Sequence, residues 1–201
     1  MWEVWIDLLK VTAGVAGTLG AVYLKNKLEQ KQVVKQTILD KSMVYDQLQA
    51  IVHHTEVDGA LIMKSHNGGG QPYVGSRLYI TAIDQLIHPQ SAYATKDFKR
   101  QFKELSIDKP FIDLLKQMQL EEAVSVVESA LPDEDLLKGM LINEGIGYMA
   151  LFHIYNTKHN MYFMMLIKQD PQMITASGPR ARIEVAANRI RGVFEKSYRK
   201  Q

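Results

Sequence analysis

The sequence predicts an α+β protein: a mostly antiparallel sheet flanked by helices, preceded by an N-terminal transmembrane helix and a helical linker. Three observations lead there. Apolar residues recur every three to four positions over residues 25–54 and again over 179–198, as helices require. Between those stretches, short runs rich in β-branched and aromatic residues are closed by turn residues, and they come as neighbouring pairs, 60–63 with 76–83 and 147–155 with 161–167. An uncharged run, VTAGVAGTLGAVYL, stands near the start of the chain.

That run covers residues 11–24 and is short of the roughly 20 residues a membrane-spanning helix needs. Extended back to Val4 it reaches about 21 residues, or about 31 Å of helix, which matches a bilayer core. Asp7 and Lys10 then fall near one end, three residues apart, where they can pair and reach the headgroups. Trp2, Trp5 and Tyr23 sit where an aromatic belt belongs. Lys25, Lys27, Lys31 and Lys35 follow the run, whereas Glu3 and Asp7 precede it, so the positive-inside rule puts the C-terminal domain in the cytoplasm of a single-pass membrane protein. Gly14, Gly17, Gly20 and Ala21 make a flat face on which a second membrane helix can pack. The expected division is an anchor over 1–27, with its transmembrane helix at about 4–24, a helical linker and first domain helix over 28–54, and a domain over 55–201.

Residues 25–54 contain no Gly or Pro and are rich in Lys, Gln, Glu and Leu. Leu28, Val34, Ile38, Tyr45, Leu48 and Val52 form a narrow apolar stripe that must pack against something. Two partners fit it, a parallel coiled-coil homodimer or the chain's own sheet, and the spacing favours a mixture because it is not a strict heptad. The domain then opens as a strand pair around the His66-Asn67-Gly68-Gly69-Gly70 reversal. Helices are expected over 96–105 and over 108–118, the second with Asp108 as cap and Pro110 in its first turn. A short strand at 123–127 and a helix beginning around 131–135 follow, then the second strand pair. A last helix over 179–198 shows Ile183, Ala187, Ile190 and Phe194 on one face.

Composition limits the function. The chain has 201 residues with 46% hydrophobic and 23% charged, which suits one folded domain plus an appendage and excludes wholesale disorder. A net charge of +2 is too small to coat nucleic acid, so a nucleic-acid partner is not expected. The last 24 residues are locally basic, with seven Lys and Arg against Glu184 and Glu195, which suits the solvated side of the last helix or anionic lipid headgroups, with nucleic acid a weaker second reading. The lack of cysteine excludes disulfide scaffolds, thiol nucleophiles and Cys-type zinc sites. Gly145-Ile146-Gly147-Tyr148-Met149-Ala150 matches a dinucleotide fingerprint only formally, since a strand follows it in place of a helix. The six histidines show no metal-ligand spacing, and no nucleophile elbow occurs, so no catalytic residue, metal or cofactor is expected.

The segment DGALIMKSHNGG (58–69), followed by SRLYI (76–80), resembles the strand that ends in a His-Asn-Gly motif in a subgroup of bacterial and viral GAF-like domains. LLKGMLINEGIGYMAL (136–151) is similar to the helix, turn and following strand of the same fold, and 161–168 to its last strand; the resemblance covers about residues 35–198. It implies a GAF/PAS-like domain of a superfamily that includes ligand sensors and dimerising linkers. The Asn-Lys-Phe-Asp-Glu signature of some cyclic-nucleotide-binding members is absent, and no cysteine is present to attach a chromophore. The residues singled out for contact with a small-molecule ligand are His66, Asn67, Tyr79, Tyr148 and His153. His66 can either hold its loop by hydrogen bonds or face a ligand, and His153, within a strand pattern, is more often a core residue than a ligand contact. The expected function is a membrane-anchored, non-catalytic regulatory, ligand-sensing or protein-interaction module that dimerises and signals to a separate output protein. The alternative is a small viral or bacterial membrane accessory protein that oligomerises through its Gly-rich helix.

Overall fold

The computed structural model describes residues 23, 25, 27, 39–67, 77–174 and 177–198. The chain divides into two units, 1–42 and 43–201. In the first, Tyr23, Lys25 and Lys27 are helical, with Lys27 Nζ 5.8 Å from the Tyr23 ring centre. The predicted membrane helix, including Gly14, Gly17, Gly20 and Ala21, lies outside the described residues; among the described residues no helix is long and apolar enough to cross a membrane. Leu28, Val34 and Ile38 lie outside them too.

Helix α1 is described over residues 39–54, and from Met43 on it belongs to the second unit. That unit continues with β1 (Gly59–His66), β2 (Leu78–Ile87), α2 (Phe98–Gln101), β3 (Leu105–Ile107), α3 (Lys109–Glu121), β4 (Ala123–Val127), α4 (Leu136–Glu144), β5 (Tyr148–Asn156), β6 (Met161–Lys168) and α5 (Ser177–Tyr198). The six strands form one sheet in the order β3-β2-β1-β6-β5-β4, every neighbouring pair antiparallel.

Strand alternation sorts the core into two layers. Leu61, Met63, Ile80, Met149, Leu151, Phe163 and Met165 share a cluster with Phe98 and Phe102 around α2, Phe111, Leu115 and Met118 of α3, and Leu137 and Leu141 of α4. Ala60, Ile62, Ala150, Ile154, Met164 and Leu166 share the other with Val44, Leu48, Ile51 and Val52 of α1 and Ile183, Ala186, Ala187, Ile190 and Val193 of α5. Covered on both faces, β6 is buried along almost its whole length and shows no polar alternation.

The caps follow the sequence. Asp108 accepts the Phe111 N–H at 3.2 Å and Asp135 the Leu137 N–H at 2.8 Å, which starts α3 and α4. Gly145, at φ 70°, ends α4 in the left-handed region, and Gly147 lets the chain run beside residues 169–171: a Cβ there would stand 2.3 Å from the Gln169 carbonyl oxygen. The two glycines of the formal dinucleotide fingerprint are thus explained by a helix stop and a close backbone approach.

Two sequence expectations are corrected. The helix expected over 96–105 is only Phe98–Gln101; Glu104 turns at φ 54°, and Leu105–Ile107 pairs with Leu78–Ile80 as an edge strand. Leu-Ser-Ile has the period of a strand, and pairing with β2 outweighs a helix turn that Lys and Glu favour only weakly. In α1 the buried stripe is Val44, Leu48, Ile51 and Val52, while Tyr45 is 47% exposed. A neighbour one position away is rotated by about 100° on a helix, which moves Tyr45 off the face that meets the sheet.

Candidate functional site

The layer between the sheet and α2–α4 is filled by side chains. Phe98, Phe102, Phe111, Met118, Phe163 and Met165 are each no more than 2% exposed. Polar staples close this layer from outside. Tyr93 Oη donates to the Gly145 carbonyl at 2.5 Å, and Lys96 Nζ donates to the Glu144 carbonyl at 2.6 Å and to its carboxylate at 3.0 Å. Lys96 also stands 5.5 Å from the Tyr93 ring centre and 5.8 Å from that of Phe98. Burial, aided by the Asp58 and Glu144 charges, pushes the Tyr93 phenol up to about 12. The segment before α2 is thereby tied to the end of α4.

The five residues singled out for a ligand occupy three places. His66 and Tyr79 are cross-strand partners on β1 and β2 with rings stacked at 6.0 Å. His66 Nε2 lies 2.9 Å from Thr81 Oγ1, and that oxygen accepts the Glu104 N–H at 3.1 Å, so the hydroxyl proton is free to point at a neutral imidazole. Desolvation, reinforced by Lys64 and opposed by Glu104, holds the His66 pKa below 6.5. Asn67 follows at the end of β1, its Nδ2 buried with no hydrogen-bond partner among the described residues. These contacts bind β1 to β2 and to the turn before β3.

Tyr148 lies at the opposite end of the sheet, paired across β5 and β6 with Lys168. It lines a cavity of about 270 Å³ with Ser125 of β4, Ala150 and Phe152 of β5, Ile174, and Arg180 and Ile183 of α5. Burial raises the Tyr148 pKa, while Ser125, the Ile174 backbone and the Arg180 charge pull it back down.

His153 stands where the pairing of β5 with β6 slips by a residue, between His153 and Tyr155. Its N–H donates to the Glu122 carbonyl at 2.9 Å, its carbonyl accepts from Arg191 Nη2 at 3.0 Å, and its Nε2 is 3.1 Å from Asn156 Oδ1. Arg191 Nη1 reaches Glu122 at 3.5 Å, so one arginine joins α5, β5 and the end of α3. Beyond it the last turns of α5 are held by aromatic contacts: Tyr198 Oη donates to Tyr162 Oη at 2.6 Å, and the Tyr198 ring lies 5.5 Å from that of Tyr155.

On the outer side of the helix layer, α1 and α5 leave an open groove of about 600 Å³. It is lined by Gln47, Ala50 and His54 of α1 and by Ala181, Arg182, Val185, Ala186 and Arg189 of α5. Val185 is 51% exposed. Arg182 donates to the His54 carbonyl at 3.3 Å and Arg189 to Gln47 at 3.4 Å, which positions two cations along the groove. Sequence reasoning read the basic residues of α5 as one solvated side and missed this groove. The signal was present in Ala181, Val185 and Arg189, a row at four-residue spacing beside the buried row of Ile183, Ala187 and Ile190. Ser125 and Arg180 were also missed, since neither has a motif around it. Among the described residues no group of three His, Asp or Glu side chains is disposed to hold a metal ion.

Solved structures share this architecture. The GAF domain/HD domain protein from Geobacter sulfurreducens aligns with a TM-score of 0.55 at 11% identity over 81% of this chain and 95% of that one. GAF3 of a Synechocystis protein, solved in its photoproduct state, gives 0.55 at 8% identity over 78% and 94%. The GAF domain of a two-component sensor histidine kinase from Bacillus halodurans gives 0.52 at 10% identity over 78% and 93%. The chain therefore has a GAF-like fold. No family model matches the sequence, and no curated protein does.

Proposed function

We propose that the chain is a membrane-anchored, non-catalytic regulatory module that faces the cytoplasm as a homodimer and passes its state to a separate output protein. The observation that supports this best is the α1/α5 groove. Ala50, Ala181 and Ala186 in its lining allow a close approach; Arg182 and Arg189 of α5 line it as cations, and Asp46, outside the groove, is an exposed acid on α1. In a two-fold contact each patch is used twice, so the acid of one copy can meet the bases of the other. The filled layer over α2–α4 favours protein interaction over a ligand housed there. GAF domains among the fold relatives occur in a sensor histidine kinase and beside an HD domain, which is consistent with a module that regulates something else.

The test is fractionation of the full chain followed by native mass spectrometry. Retention in membranes after alkaline carbonate, release on deletion of residues 1–27, and a dimer in detergent support the reading. A full chain that is extracted by carbonate, or is monomeric, overturns it. Gly17→Leu separates the accessory-protein alternative, in which the membrane helix itself assembles: there the substitution abolishes oligomers, whereas a groove-mediated dimer is only weakened.

A further inference from the structure

The cavity beneath Tyr148 has no role in the dimer reading, and its lining is chemically one-sided. We propose that it is a binding site for a small monocarboxylate with an apolar body, about the size of one aromatic ring and a short acid arm. Arg180 is the one ionised residue in its lining; Ser125 and Tyr148 add hydroxyls, and no acidic side chain lines it. The Arg180 side chain is 69% exposed and gives its Nε to Glu184 at 3.1 Å, so an acid arm would meet the terminal nitrogens at the solvent edge of the cavity. The rest of the wall is apolar, with Ala150 and Ile183 no more than 3% exposed and Phe152 half-buried beside them. Such a wall takes a ring or short chain. Size agrees: an apolar cavity of about 150 Å³ holds benzene, so about 270 Å³ admits a ring with its acid arm. The first turn of α5 carries no acid, so the positive end of that helix dipole is not offset locally.

The cavity touches β4, β5, the segment at Ile174 and the first turns of α5. A ligand there contacts the helix that also forms the groove, and it lies on the α1/α5 side of the sheet, away from the filled layer. The site is contained within one copy, so its failure leaves the dimer reading standing, and the converse holds.

The test titrates phenylacetate into the ¹⁵N-labelled full chain while following the amides of Ser125, Tyr148 and Ile183. The expected result is saturable shifts at these amides with a dissociation constant of about 1 mM or tighter. Arg180→Gln is expected to weaken phenylacetate at least about tenfold, and the neutral isostere phenylacetamide to bind the unaltered chain at least about tenfold more weakly. Ala150→Val, which adds two methyl groups to the cavity wall, should remove both; if that variant does not fold, the arginine variant and the neutral isostere still decide. Absence of saturation at about 20 mM, equal binding of acid and amide, or an unchanged affinity in Arg180→Gln overturns the proposal.

Discussion

Truncating Met165 to Ala tests whether the layer under α2–α4 is as full as its geometry says. Met165 sits in β6 opposite Leu61 on one side and Leu151 on the other, and it is 0% exposed. The substitution removes three heavy atoms from a site whose backbone is fixed by two flanking strands, so the walls have little freedom to collapse. Met-to-Ala changes in such places cost about 2–5 kcal/mol; with limited relaxation we expect about 3–4 kcal/mol. At about 2–4 °C per kcal/mol for a domain of this length, the midpoint should fall by about 6–16 °C. Urea unfolding of the full chain is the assay, with a shift in midpoint concentration at unchanged slope as the readout. Leu120→Ala is the control, because Leu120 is 85% exposed and should change stability by no more than about 0.5 kcal/mol. A loss below about 1 kcal/mol for Met165→Ala would refute the reasoning, since it would mean the layer has slack.

Tyr93→Phe should cost about 1 kcal/mol by deleting the bond to Gly145. Because the folded pKa of this phenol is raised to about 12 from 10, its stabilisation is complete below pH 10 and is lost as the pH rises towards 12; urea unfolding at stepped pH should show that loss in the parent and not in the variant. Gly147→Ala must push its methyl into the Gln169 carbonyl and should destabilise by about 2 kcal/mol or more, whereas Gly139→Ala, in α4 with nothing within 4 Å of the added methyl, should stabilise by up to about 1 kcal/mol; thermal unfolding distinguishes the two signs. His66 has a lowered folded pKa, so protonation favours the unfolded chain and stability contributed by the neutral ring is present above about pH 6.5 and lost as the pH falls through the folded value. His66→Gln should flatten that part of the pH–stability profile, and an unchanged slope would remove His66 as its source.

The elements with a strong local signal were legible in the sequence. Asp108 and Pro110 announced α3, the paired apolar runs announced β5 and β6, and Ile183, Ala187 and Ile190 gave the buried face of α5. β3 was not legible, because a three-residue edge strand is defined by its partner β2 and by the turn at Glu104 more than by its own residues. In α1, Leu48 and Val52 are buried and Tyr45 is not, because apolar character alone does not reveal which side of a helix a sheet takes. The candidate site was legible only in pieces. His66, Asn67 and Tyr79 do come together, since a hairpin brings its own ends into register. Tyr148 joined Arg180 and Ser125 only through the sheet order and the docking of α5, which no local spacing encodes.

The dimer reading is tested most directly by cross-linking. The chain has no cysteine, so a single introduced thiol reports its own surroundings. Val185→Cys places one in the α1/α5 groove and Leu120→Cys places one on α3, on the other side of the sheet. In the full chain under mild oxidation, the account predicts covalent dimers from Val185→Cys and none from Leu120→Cys. Dimers from Leu120→Cys with none from Val185→Cys would contradict it.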